Sequence, residues 1–198
     1  MKIFCLCFFC FLLLAKAPIF GLDDTTFANS ESLPKIHESW EFHGGLETST
    51  YLKLPPGNNM LQMGLAVALT DGFEVNQNGT IKIGLSYAHK NFLYYGDVFE
   101  LDYLGVPLSY THRFGVLGIT IGGQVSYLIS AINDVGWYRA GNFAQNCYPI
   151  SADLLCGVSV KPRDFEFGVQ LSGALIPLVR GSDARIASAQ LFGAYRFE

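Results

Sequence analysis

The clearest structural signal in the chain is a strict alternation over residues 117–130, LGITIGGQVSYLIS. Large apolar side chains occupy most odd positions, and glycine, serine, threonine or glutamine occupy most of the positions between them. Successive side chains of a β-strand point to opposite faces of the sheet. The stretch therefore predicts a strand with one apolar face and one small or polar face.

The same alternation recurs on both sides of this stretch. In the final segment only Phe192 breaks the pattern, as a large side chain on the small or polar face. Seven segments follow the rule: residues 40–53, 61–70, 81–88, 117–130, 150–160, 165–175 and 187–197. Segments of this length and period predict seven antiparallel strands.

An eighth segment, residues 99–114, changes phase along its length. Its apolar side chains first take odd positions, from Phe99 to Tyr103, and then even positions, from Leu104 to Tyr110. An extra residue in one strand reverses the facing, and proline removes a donor from the hydrogen-bond ladder. The segment therefore predicts an eighth strand with a β-bulge beside Gly105 and Pro107.

Short turn signals separate most of these segments, and only the connection at residues 131–148 is long. If both chain ends lie on one side, the turns after the second, fourth and sixth strands lie there too. The long connection then lies on the opposite side. This asymmetry and an even number of strands are typical of outer-membrane β-barrels.

The pattern fits two kinds of barrel, one in lipid and one in water. A spanning sheet must pair every backbone group and so must close, whereas a soluble barrel would bury its apolar face around a ligand. Here the polar face is small enough for a narrow lumen, and aromatic residues lie toward the strand ends of the apolar face, which favours the lipid alternative. The sequence therefore predicts an all-β fold, an eight-stranded antiparallel up-and-down transmembrane β-barrel. Its predicted lumen polar network comprises Glu41, His43, Glu47, Lys82, Asp102, Asp153, Glu166 and Arg196.

The amino terminus has the layout of a secretory signal peptide. Lys2 precedes an apolar run from Ile3 to Ala15, which is short for a membrane-spanning helix. We predict a signal peptide over residues 1–21, with cleavage between about residues 17 and 22, a short periplasmic segment over 22–38 and a barrel over 39–198. The alternative is an uncleaved anchor. The predicted location is the outer membrane.

Two cysteines remain after such a cleavage, Cys147 and Cys156. An oxidising compartment permits a disulfide between them. Cys156, however, lies on the predicted lipid-facing side of its strand, where a cysteine acts as a small apolar residue. The pattern favours two thiols.

The chain resembles the PorT-like outer-membrane β-barrel family of Bacteroidetes. The resemblance rests on four stretches taken in order and spacing: residues 103–110, 122–129, 153–157 and 194–197. It implies an eight-stranded barrel with a signal peptide, and the family name derives from a member linked to protein secretion and gliding. Glu198 departs from the pattern, because such barrels usually end on an aromatic residue.

Composition and motifs exclude several functions. The net charge is −4 and no cluster of Lys or Arg provides a nucleic-acid surface. The four histidines, at positions 37, 43, 89 and 112, lack the spacing of metal ligands, and no Cys-x-x-Cys occurs. We predict no catalytic residue and no cofactor.

The long connection is the predicted recognition loop. Aromatic side chains beside an arginine form good contact anchors, although such a loop can also rest on the membrane surface. Its candidate residues are Trp137, Tyr138, Arg139, Asn142 and Phe143. The predicted function is non-enzymatic: a structural, binding or secretion-accessory barrel whose partners are membrane lipid and other envelope or secretion-system proteins. The alternatives are an outer-membrane enzyme acting on lipid or peptide, and a soluble exported ligand-binding barrel.

Overall fold

A computed structural model describes residues 38–52, 60–94, 97–135, 138–142 and 144–197. The predicted signal peptide lies outside these residues, and so does the predicted periplasmic segment apart from Glu38. Among the described residues, no helix is long and apolar enough to span a membrane.

The described residues form nine β-strands and one short 3-10 helix. The strands are β1 (Glu38–Leu52), β2 (Met60–Asn76), β3 (Gly79–Tyr94), β4 (Asp97–Phe114), β5 (Leu117–Val135), β6 (Tyr138–Asn142), β7 (Ile150–Val160), β8 (Phe165–Ala174) and β9 (Arg185–Phe197). The 3-10 helix spans Ala144–Asn146.

Eight of these strands close into an antiparallel barrel. They follow the order β4-β3-β2-β1-β9-β8-β7-β5, and pairing between β4 and β5 completes the ring. The remaining strand, β6, pairs with the end of β5 and forms a hairpin outside the ring. The predicted eight-stranded barrel is confirmed, and its short turns, after β2, β4 and β7, lie at the end that also contains both ends of the described chain.

The apolar face of the barrel points outward. Leu191 is 63% exposed and Leu85 is 61% exposed, whereas the charged side chains of Glu41, Lys82 and Glu166 are buried in the lumen. A water-soluble protein does not present a continuous apolar exterior around a charged interior. The soluble alternative is therefore excluded.

Aromatic side chains ring the end of the barrel that has the short turns. The exposed aromatic residues there are Trp40, Phe42, Phe114, Phe165, Phe167, Tyr195 and Phe197. The rings of Phe165 and Tyr195 lie 5.0 Å apart across neighbouring strands. Such a girdle is expected where a barrel meets the membrane–water interface.

The predicted bulge in β4 is wrong. β4 keeps one alternation throughout, so Phe99, Leu101 and Tyr103 point into the lumen and are buried there. The register shift lies between Asp102 and Tyr103 on the β4–β5 pair, and the extra residue, Ile129, belongs to β5. The prediction assumed that every lumen-facing side chain is small or polar. Large apolar side chains inside the lumen were therefore interpreted as lipid-facing, which required a change of face along the strand.

The predicted long loop is partly a hairpin. β5 continues to Val135, and residues Tyr138–Asn142 pair back onto it. The connection predicted over residues 131–148 therefore contains ten residues of strand, five in each arm.

Candidate functional site

Short turns of outer-membrane barrels face the periplasm and longer loops face outward. We use this rule to name the two ends of the lumen. The inner end contains the turns after β2, β4 and β7, and the outer end contains the β6 hairpin and the connection between β8 and β9.

An ion-pair network fills the inner end of the lumen, and we call it the inner cluster. Glu41 lies 2.5 Å from Lys82, 3.2 Å from Arg196 and 3.4 Å from Lys161. Its members are Glu41, His43, Lys82, Arg113, Ser159, Lys161, Glu166 and Arg196.

Glu166 is the second acidic centre of the inner cluster. It accepts hydrogen bonds from Arg113 at 2.7 Å and from Ser159 at 2.6 Å, and Lys82 lies 3.2 Å away. Lys82 therefore bridges the two carboxylates. Two carboxylates and four Lys or Arg side chains share the space, so each carboxylate contacts more than one cation.

Lys161, in the turn between β7 and β8, is affected by the excess of positive charge in the inner cluster. Burial lowers the pKa of its ammonium group, Glu41 raises it, and the neighbouring Arg196, Arg113 and Lys82 lower it further. The direction of the shift follows from desolvation and like charges acting against a single nearby carboxylate.

A smaller outer cluster lies further along the lumen. Lys90 contacts Glu47 at 3.3 Å and Asp153 at 3.8 Å, and its ammonium group lies 5.7 Å from the centre of the Tyr103 ring. Ser151 donates a hydrogen bond to Asp153 at 2.6 Å. All three charged side chains are buried and find their partners within the lumen.

A cavity of about 100 Å³ in the lumen contacts residues of both clusters. Its lining includes charged, apolar, amide and hydroxyl side chains, and the amides and serine hydroxyls are those of Gln124, Gln170, Gln190, Ser86, Ser109 and Ser172. An eight-stranded barrel has little room beyond its own side chains. The cavity is small, and its lining mixes polar and apolar side chains.

Apolar side chains close the outer end, and we call them the outer plug. Leu101 is fully buried there at 0% exposure. The plug comprises Phe99, Leu101, Tyr103, Leu128, Ala131, Cys147, Leu178 and Ile186. Strands β4, β5 and β9 supply six of these side chains, and two outer connections supply Cys147 and Leu178.

Backbone hydrogen bonds hold the two connections together over the plug. The amide of Tyr148 donates to the carbonyl of Leu178 at 2.8 Å, and the amide of Arg180 donates to the carbonyl of Asn146 at 2.9 Å. Cys147 and Val179 form a bridge between them. The lumen is therefore covered at its outer end by paired backbone as well as by side chains.

Cys147 is a buried thiol and is not joined to Cys156 by a disulfide. Burial raises the pKa of the Cys147 thiol to about 11. Cys156 lies on the outward, lipid-facing side of β7. Cys147 thus acts as an apolar part of the plug.

The structure brings together most of the residues predicted for the lumen network. Glu41, His43, Lys82, Glu166 and Arg196 meet in the inner cluster, and Glu47 and Asp153 meet in the outer cluster. The sequence analysis missed Lys90, Arg113 and Lys161. Lys90 lies on the lumen side of β3 past the predicted strand end at residue 88, so extended alternation would have found it. Arg113 lies within the predicted segment 99–114, on the face opposite Leu104 to Tyr110, and was overlooked there.

Asp102 was predicted to lie in the lumen, and this prediction is wrong. Because β4 keeps its alternation, Asp102 points outward, and its carboxylate oxygen Oδ1 lies 2.8 Å from His89 Nδ1. Tyr87 donates a hydrogen bond to the same oxygen at 2.7 Å. We call Tyr87, His89 and Asp102 the rim cluster.

Of the predicted recognition residues, Tyr138, Arg139 and Asn142 belong to β6, whose backbone pairs with β5. Trp137 and Phe143 lie outside the described residues. In the described part of the chain, no group of three His, Cys, Asp or Glu side chains could hold a metal ion.

No protein-family model matches this chain, and no curated protein sequence matches it. Solved structures do match it. The structure of Neisserial surface protein A has a TM-score of 0.56 at 14% identity, and the match covers 81% of this chain and 99% of that one. Ail, the attachment invasion locus protein of Yersinia pestis, solved with the heparin analogue sucrose octasulfate, has a TM-score of 0.50 at 12% identity over 82% of this chain and 100% of that one.

The fold is that of an eight-stranded outer-membrane β-barrel. Identities this low show the fold alone. Together with the apolar exterior, which requires lipid around it, this fold confirms the predicted outer-membrane location.

Proposed function

We propose that this chain is a non-enzymatic component of the outer membrane that acts through its outer surface, with a lumen that serves as a rigid filled core. The closed lumen is the observation that carries the proposal. The outer plug covers one end, and the inner cluster occupies the other end with ion-paired side chains. A barrel built in this way presents its loops and its lipid-facing surface to partners.

The enzyme alternative would need a nucleophile beside a histidine and a carboxylate. His89 and Asp102 supply two of these groups on the outer face. Among the described residues, however, no serine hydroxyl forms a hydrogen bond with His89. The proposal therefore remains a binding or structural role.

The outer connection between β5 and β7 is the proposed contact site for a protein partner. Trp137, Tyr138, Arg139, Asn142 and Phe143 are its anchors, because aromatic and arginine side chains dominate binding energy at interfaces. A secretion-accessory role and membership of the PorT-like family are part of the proposal, and both rest on the sequence resemblance. The signal peptide over residues 1–21 belongs to it as well.

We expect the closed lumen to block conduction. The purified barrel, inserted into a planar bilayer, should show no stable open channel, whereas a wide porin in the same bilayer should conduct. Unboiled and boiled samples of the membrane fraction should differ in mobility on a gel, which checks that the protein tested is the closed barrel. A folded barrel that conducts steadily would contradict the proposal.

We expect the β6 hairpin to lie within reach of an envelope partner. A photo-crosslinking residue in place of Tyr138 should give an adduct in intact cells, and the same residue in place of the exposed Arg163, at the inner end, is the matched control for surface contact. The adduct should weaken when Arg139 is also replaced with alanine. An adduct equally strong after Arg139→Ala, or none at all at position 138, would contradict this contact site.

A further inference from the structure

The rim cluster lies on the outward face of the barrel, where the apolar rows of β3 and β4 end. Along β3 the outward side chains run Ile81, Ile83, Leu85 and then Tyr87 and His89, and along β4 they run Leu108, Val106, Leu104 and then Asp102. Both strands therefore change from apolar to polar at the same height. His89 and Asp102 pair directly across the two strands.

This height lies near the outer edge of the hydrocarbon layer. His89 follows Ile81, at the inner end of β3, by eight residues. In a barrel strand tilted by about 40°, that separation is about 20 Å along the membrane normal, which is about 5 Å less than the full height of an apolar band about 25 Å tall. Acyl chains thus contact the residues below the rim cluster, and the headgroups of the outer leaflet lie directly above it.

The hydrogen bonds within the rim cluster determine what it can offer a ligand. Tyr87 donates to Asp102 Oδ1, and His89 Nδ1 lies 2.8 Å from the same oxygen. In a neutral imidazole, a carboxylate beside Nδ1 favours the Nδ1–H tautomer. In that tautomer the remaining groups, Asp102 Oδ2 and His89 Nε2, are both acceptors, and neither has a partner among the described residues.

The charges around the rim cluster also favour a ligand that carries hydrogen-bond donors. Glu100 lies two positions from Asp102 on the outward face of β4, opposite Asn91. Lys90, the nearest cation along β3, points into the lumen. An acidic, acceptor-rich surface favours hydrogen-bond donors and disfavours bare phosphate.

We propose that the rim cluster is a binding site for the headgroup of an outer-leaflet lipid that carries hydrogen-bond donors, either sugar hydroxyls or an ammonium group. Asp102 Oδ2 and His89 Nε2 accept hydrogen bonds from the headgroup. Tyr87 positions the carboxylate. The acyl chains of the lipid lie along Leu85 and Leu104 on the same face. The inference uses the inner and outer ends assigned above and goes beyond the proposed function, because it names a lipid class.

The barrel contains a matched control at its inner end. Tyr110 and His112 also form an outward-facing tyrosine–histidine pair, with Tyr110 Oη 3.2 Å from His112 Nδ1. In that pair the histidine nitrogen meets a hydroxyl, and no carboxylate within the described residues joins it. Substitution of His112 changes a histidine on the same barrel surface without touching the rim cluster.

The test measures lipid occupancy by native mass spectrometry of the folded barrel. The barrel is mixed with equal amounts of phosphatidylethanolamine and phosphatidylcholine of identical acyl chains, which differ in their N–H donors. A second mixture replaces phosphatidylethanolamine with glucosyl diacylglycerol. The variants are His89→Phe, Asp102→Leu and His112→Phe, each checked as a heat-modifiable species on a gel before lipid is added.

We expect the wild-type barrel to bind at least one of the two donor lipids about fivefold more than phosphatidylcholine, as one or two net hydrogen bonds would give. The preference should disappear in His89→Phe and Asp102→Leu and persist in His112→Phe. Preference for the ethanolamine lipid identifies an ammonium ligand, and preference for the glucosyl lipid identifies a sugar. Equal occupancy in the wild type, an unchanged preference in both rim variants, or an equal loss in His112→Phe would overturn the proposal. Because every variant is first shown to be a folded barrel, failure here is distinct from failure of the barrel itself.

Discussion

Replacing Glu41 with alanine is expected to lower the free energy of unfolding of the barrel by about 3–5 kcal/mol. Glu41 is 2% exposed and contacts Lys82, Lys161 and Arg196. Its removal leaves these cations facing one another in the lumen, with Glu166 as the remaining buried carboxylate of the inner cluster. An uncompensated buried charge costs more than a lost surface ion pair. Urea unfolding of the barrel in lipid vesicles, followed by tryptophan fluorescence, gives the free energy directly.

Two further variants show whether burial and loss of a shared partner cause the effect. Glu74→Ala removes a carboxylate that is 47% exposed and lies 3.6 Å from Arg196, so it should cost less than about 1 kcal/mol. Lys82→Met should cost less than Glu41→Ala, because Glu41 keeps Arg196 and Lys161 while Glu166 keeps Arg113. A Glu41→Ala barrel as stable as Glu74→Ala would mean that water reaches the inner cluster freely and screens its charges.

The inner cluster also explains how a narrow barrel stays closed without a large core. Its side chains come from six different strands and one turn, so the ion pairs tie distant parts of the ring together across the lumen. The outer plug does the same with apolar contacts at the other end. Both devices are built from side chains that face the lumen or lie in the connections over it.

Alternation predicted the architecture well because the two faces of a membrane barrel meet two different solvents. Leu191 and Leu85 face lipid and Lys82 and Glu166 face the lumen, as the period of two requires. The turns after β2, β4 and β7 follow from the same pattern. These features depend on local sequence, which a single strand carries by itself.

The pattern failed where the lumen is apolar. Leu101 and Tyr103 carry no local mark that distinguishes a lumen-facing position from a lipid-facing one, since both surroundings exclude water. The bulge was therefore assigned to β4, and Asp102 was placed in the lumen. The outer plug depends on Cys147 and Leu178, which come from connections distant in sequence, and no periodicity within one strand predicts their contact.

The candidate sites divide in the same way. Most members of the inner cluster were predicted because charged residues on the polar face of strands have only the lumen to enter. The rim cluster was missed because it joins β3 and β4 through side chains on the lipid-facing side, where no ion pair was expected. Cross-strand register decides that contact, and register follows from pairing with neighbours as well as from the strand's own sequence.

Replacing Leu191 with arginine is expected to destabilise the inserted barrel by about 2–4 kcal/mol. Leu191 is among the most exposed apolar side chains and lies on the lipid-facing side of β9. It is separated by six residues from Phe197, which belongs to the aromatic girdle at the inner end. At that depth hydrocarbon surrounds the guanidinium group. The group must therefore either lose its hydration water or distort the bilayer to reach water. Unfolding from vesicles with thin and thick hydrocarbon cores measures the effect, which should grow with thickness.

The matched control is Val160→Arg, which faces lipid at the inner end of β7 and should cost about 0–1 kcal/mol because the arginine reaches the interface. If both substitutions cost the same, the apolar belt would not be centred where the aromatic girdle and the rim cluster place it, and the outer hydrocarbon edge assigned near His89 and Asp102 would have to move with it.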